Sequence, residues 1–180
     1  TIMEKIARRL AWLDDLVLKI NLALCGSLLT VMVVVAALGV FFRFVLHASL
    51  SWSEEFDSYL FVWLTCLGAA AGVKMRAHPE VRAIPDRLPR PVRVIVADLT
   101  DAAVIALGLV FVLYGSEMVS MMGTETAASL PVSMVYPYLS IPVGGALLIW
   151  HSVVRIVVSH LAPGVRQDAV AAAHAIPEHI

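Results

Sequence analysis

The chain has 180 residues, of which 60% are apolar and 15% charged, and its mean hydropathy is +0.86. A soluble domain averages about 45–50% apolar and about 25% charged residues, so this composition excludes an ordinary water-soluble fold, and it excludes intrinsic disorder for most of the chain. The net charge of −1 gives no pull toward nucleic acid, and the length suits four spans of about 20 residues, too few for a complete secondary transporter.

In chain order, residues 1–15 place Ile2, Ile6, Leu10 and Leu13 at helical spacing, with Lys5, Arg8 and Arg9 between them. This pattern predicts a short amphipathic helix along the membrane surface. The first span is expected over residues 16–43. Its centre, Leu28 to Phe42, carries no charge. It is longer than the ~7–15-residue core of a secretory signal and lacks a clear cleavage site, so a retained anchor is expected. Cys25 and Cys66 lie in apolar runs without CxxC partners, and read as packing thiols.

The second span is expected over residues 54–76. Ser51-Trp52-Ser53-Glu54 fits a capping box with Ser51 as N-cap, and Glu54 and Glu55 suit the positive end of the helix dipole. Trp52, Phe56, Tyr59 and Trp63 recur at i, i+4, i+7 and i+11 and form one aromatic stripe. Arg43, at the end of span one, is expected to pair with Glu54 or Glu55. Gly68 and Gly72 make a GxxxG with alanines inside, a face that lets helix backbones approach closely in lipid.

The third span is expected over residues 92–122. Asp98 and Asp101 are three apart and share a face. The surplus length of this helix places them near the headgroups, within reach of Lys74, Arg76 or a partner's cation. The fourth span, residues 135–161, opens with Pro137, Pro142 and Gly144-Gly145, which predict a kink. Residues 162–180 read as a loose tail. The whole is an all-α membrane protein with a single four-helix domain, residues 1–161.

Twelve of the thirteen Lys and Arg residues fall on one side of these spans, and Arg43 alone falls on the other. The positive-inside rule then places both termini in the cytoplasm, which four spans satisfy. Glu54, Glu55, Glu117 and Glu125 make the outer face acidic.

The run Trp52-x-Glu54-Glu55, with Tyr59, Trp63, Gly68, His78, Leu88-Pro89 and Arg43, resembles the small membrane (Q) subunit of tripartite ATP-independent periplasmic, or TRAP, transporters. The resemblance implies a non-catalytic subunit of the bacterial inner membrane, not an enzyme, surrounded by phospholipid and scaffolding a large permease subunit. That large subunit would carry the substrate and sodium sites and move elevator-fashion. A periplasmic binding protein would deliver an organic anion such as a dicarboxylate or sialic acid. No cofactor or metal is expected on this chain. Arg43, Trp52, Glu54, Glu55, Tyr59, Trp63, Gly68, Gly72, Asp98 and Asp101 are the expected interface and structural residues. Two other classes fit the composition. One is a membrane redox or haem protein using His47, His78, His151 or His160, although these do not face one another in pairs at matched depth. The other is a self-assembling channel using Asp98 and Asp101.

Overall fold

A computed structural model describes residues 2–48, 50–75 and 90–161. The expected tail, and the loop that contains Arg76, His78 and Leu88-Pro89, lie outside the described residues. Among the described residues, five α-helices follow in order: α1 (Ile2–Phe44), α2 (Ser53–Met75), α3 (Arg90–Met121), the short α4 (Val135–Tyr138) and α5 (Ser140–Leu161). Four helical segments among the described residues are long and apolar enough to cross a membrane, the fourth running from Val135 to His160 through α4 and α5. Lipid favours helices because a helix satisfies its own backbone polar groups without water.

The amphipathic stretch is helical, but nothing sets it apart from the first span. α1 runs unbroken for 43 residues, about 64 Å at 1.5 Å per residue, roughly twice the hydrocarbon thickness of a bilayer. α2 begins later than the capping box predicts. The carbonyl of Trp52 accepts from Phe56 N at 3.0 Å, so the cap position falls on Trp52 and not on Ser51. The proline-rich start of the fourth span breaks at Leu139, between α4 and α5.

α5 is the common wall of the bundle. Among the described residues it packs on α1, α2 and α3, whereas α3 touches neither α1 nor α2. Two of its faces differ in partner. Gly144, His151 and Arg155, at i, i+7 and i+11, share one face; Gly145 and Ile149 lie on another. A Cβ on Gly144 would come within 2.9 Å of Cys66 Cβ on α2. A Cβ on Gly145 would come within 2.7 Å of Gly108 O, and a Cβ on Gly108 within 2.8 Å of Gly145 O. The α3 and α5 backbones therefore touch directly, the close approach that small residues permit in lipid. Gly115 repeats this two turns along, against Pro142.

Gly68 and Gly72 are different. A Cβ at either position meets nothing within 4 Å, so this GxxxG does not hold the bundle together. Among the described residues the most tightly packed glycines are Gly108, Gly115, Gly144 and Gly145, where a Cβ would meet a neighbour at under 3.0 Å. We predict that Gly145→Val lowers unfolding stability in detergent by about 1–3 kcal/mol, the usual cost of overpacking. Gly68→Ala and Gly72→Ala should stay within about 0.5 kcal/mol of the parent. Thermal unfolding followed by circular dichroism distinguishes them, and equal losses would contradict this packing.

Candidate functional site: polar clusters at the two ends of the bundle

The polar side chains gather at two levels. The first lies where the start of α1 meets the end of α2. Asp14 on α1 is 2% exposed and His151 on α5 is fully buried. His151 Nδ1 lies 2.6 Å from Asp14 Oδ1. A carboxylate can only accept, so Nδ1 donates. The other carboxylate oxygen accepts from Lys74 Nζ on α2, and Lys74 also reaches Asp15 at 3.1 Å. One carboxylate thus joins three helices.

A second tie lies beside it. Arg155 Nη1 on α5 donates to Asp101 Oδ1 on α3 at 2.8 Å. Its Nη2 donates to the carbonyl of Val73 at 2.9 Å. Val73 belongs to the last turn of α2, whose carbonyls lack helical partners, and a cation there also suits the helix dipole. Further along, Asp98 Oδ2 lies 3.6 Å from His160 Nε2. Asp98 and Asp101 therefore face α5 of their own chain, and Lys74 is engaged by α1.

Seven residues up α1 from Asp14, Asn21 donates through Nδ2 to Leu67 O at 2.9 Å, seven residues back along α2 from Lys74. The equal steps, about 10 Å each, show that the α1–α2 hairpin keeps one register. His151 Nε2, Ser152 Oγ and Asp57 Oδ1 are buried atoms without a hydrogen-bond partner among the described residues.

The second cluster lies at the Arg43 end. Arg43 on α1 pairs with Glu54. Glu55 instead holds the connection between α3 and α5. Its Oε1 accepts from Ala128 N at 3.0 Å and its Oε2 from Ser129 N at 2.7 Å. The Tyr59 hydroxyl donates to Glu55 at 2.6 Å and lies 3.3 Å from Met134 Sδ. Trp63 Nε1 donates to Tyr136 O on α4 at 3.0 Å. Trp52 and Phe56 pack edge to face, 6.2 Å between centroids. Much of the aromatic stripe therefore faces the chain's own α3–α5 connection. That connection closes on itself through the Thr126–Ser133 bridge. Sequence neighbours Glu54 and Glu55 thus serve different partners.

This arrangement joins helices and pins a connection. Among the described residues, no group of three or more His, Cys, Asp or Glu could hold a metal ion. The family model for the DctQ component of tripartite ATP-independent periplasmic transporters matches residues 32–160. The chain belongs to this family. It is a multi-pass membrane component of a transporter and not an enzyme.

Similar proteins carry related descriptions. The sialic acid TRAP transporter small permease protein SiaQ of Vibrio cholerae is 27% identical over 115 residues, which is 63% of this chain and 66% of SiaQ. The C4-dicarboxylate TRAP transporter small permease protein DctQ of Rhodobacter capsulatus is 30% identical over 102 residues, 56% of this chain and 45% of that protein. The isethionate TRAP transporter permease protein DctMQ of Oleidesulfovibrio alaskensis is 27% identical over 103 residues, again 56% of this chain but only 16% of that protein. The matched regions thus span about half to two thirds of the small permease proteins.

Sequence reasoning about this DctQ-family chain missed Asp14 and Arg155 as site residues, and weighed His151 only as a redox ligand, not as the partner of Asp14. A signal existed for two of them: His151 and Arg155 are four apart, on one helical face, in an otherwise apolar span. Asp14 carried no such mark, because its partners are 60 and 137 residues away.

Two outcomes check the clusters. Asp14→Asn should cost about 3–5 kcal/mol of unfolding stability, because it removes one side of a buried ionic contact. Asp15→Asn, at a 62% exposed side chain, should cost under about 1 kcal/mol. Glu55→Ala should speed limited proteolysis between residues 125 and 134 several-fold, whereas Glu54→Ala should leave cleavage there unchanged.

Proposed function

We propose that this TRAP small permease subunit is a rigid, non-transporting scaffold for a large permease subunit. The carrying observation is that the buried ionic groups Asp14, Asp101 and His151 all engage partners on other helices of the same chain. Such bonds stiffen a bundle, and they engage both Asp14 oxygens and His151 Nδ1, while His151 Nε2 has no partner among the described residues. DctMQ, in which the stretch matching this chain is a minor part of a larger permease protein, supports a large membrane partner. Helix α2 turns Phe61, Gly68 and Ala69 outward, and this smooth face suits a helix of that partner.

The remaining parts of this reading follow the family. The large subunit carries the substrate and sodium sites, and this chain holds no cofactor. A periplasmic binding protein delivers an organic anion; the names SiaQ and C4-dicarboxylate DctQ support that chemical class. The chain sits in the bacterial inner membrane with both termini cytoplasmic, as the placement of its basic residues supports. The Asp14–Lys74 cluster then lies near the cytoplasmic face, and the Glu55 clamp lies near the periplasmic face.

Reconstitution tests the scaffold role. Proteoliposomes with this chain alone should show no sodium-driven uptake of sialic acid or succinate. Adding the large subunit and the binding protein should establish uptake of the cognate anion. Omitting this chain from that mixture should reduce uptake at least tenfold. Robust uptake by this chain alone would overturn the proposal.

A further inference from the structure

A groove of about 460 Å³ runs between α1, α2 and α5. On α1 it extends from Val17 to Leu28, a length of about 17 Å; Leu60 and Val143 line its other walls. One end starts a single turn from Asp14, at the level of the ionic cluster. The other ends near the middle of the bundle, by Leu28 and Leu60. Two polar side chains line it, Asn21 and Trp63, and each donates a hydrogen bond inside the chain, to Leu67 O and Tyr136 O.

We propose that this groove is a binding site for one acyl chain of a membrane phospholipid, from the leaflet on the Asp14 side. Three observations choose this occupant. Eight of the ten lining residues are aliphatic, and Asn21 and Trp63 already donate within the chain, so a polar ligand would lose its hydration for little in return. The length is close to half the ~30 Å hydrocarbon core, the reach of a single leaflet's chain. A partner's interface needs more surface than this groove offers. Its ten lining residues fall well below the roughly 20–30 residues per side of a stable protein interface.

The site therefore recognises a hydrocarbon chain and is indifferent to the headgroup. It goes beyond the scaffold reading and does not depend on the transported substrate. A resident chain would fill the gap between three helices that pack on one another elsewhere.

The test uses the full chain with Trp63 as its only tryptophan, through Trp12→Phe, Trp52→Phe and Trp150→Phe. It is reconstituted in phosphatidylcholine vesicles containing phosphatidylcholine with brominated acyl chains, which quench indole fluorescence on contact. Val143→Phe fills the groove and should reduce Trp63 quenching at least twofold. Val153→Phe, at a residue exposed on the outside of α5, should leave it unchanged. Brominated phosphatidylethanolamine and phosphatidylglycerol should quench as well as phosphatidylcholine. Variants are compared only when monodisperse with the parent's helical circular dichroism, and Leu28→Phe replaces Val143→Phe if that variant does not fold. Equal quenching with the groove open and filled would overturn the proposal. So would a strong headgroup preference, or efficient cross-linking of Leu24→Cys to a helix of a co-expressed large subunit.

Discussion

The structure depends on how Asp14 is held. A carboxylate in an apolar bundle is costly unless both oxygens find donors. Here Lys74 takes one oxygen and His151 the other, so the first, second and last spans meet at a single group. Arg155 extends the same logic to α3 and to the exposed carbonyls at the end of α2. In lipid, apolar contact alone discriminates poorly between helix arrangements, because lipid tails are as apolar as Leu. A few ionic contacts with fixed partners therefore carry much of the information about which helices meet, and at what depth.

Close packing provides the rest. α5 can serve three neighbours because its successive glycines face different ways: Gly144 admits α2 and Gly145 admits α3. Without these small residues the backbones would stand farther apart, and Arg155 could not span from Asp101 to Val73. Packing and ionic contacts thus support one another. α3 relies on α5 alone among the four long described helices, so the Gly108–Gly145 contact and the Asp101–Arg155 pair hold it in place together.

At the other end the bundle is closed by backbone recognition. Glu55 accepts two amide protons from the α3–α5 connection, while Tyr59 and Trp63 anchor the stretch from Met134 to Tyr136. A connection held in this way presents a defined shape to whatever binds from that side. The motif residues therefore have a structural role inside the chain, and any contact with a partner would be made on a surface they have already ordered.

Much was legible from the sequence alone. Four spans, the all-α class and the family resemblance follow from continuous apolar runs and a local motif, because span formation is decided by some 20 adjacent residues. The pairing of Arg43 was narrowed to two neighbours, since the end of one span and the start of the next must lie close. Local pattern could not decide which glycines pack, which of Glu54 and Glu55 faces the α3–α5 connection, or that Asp14 joins Lys74 to His151. Gly68-x-x-x-Gly72 has the more familiar spacing, yet Gly108 and Gly145 make the contact. The reason is physical: a helix presents every side chain to some direction, and only its neighbours determine which direction is inside. The sequence by itself determined that this is a multi-pass membrane chain with four segments long and apolar enough to cross; the tertiary structure alone decided which polar groups meet, because those partners lie as far as 137 residues apart.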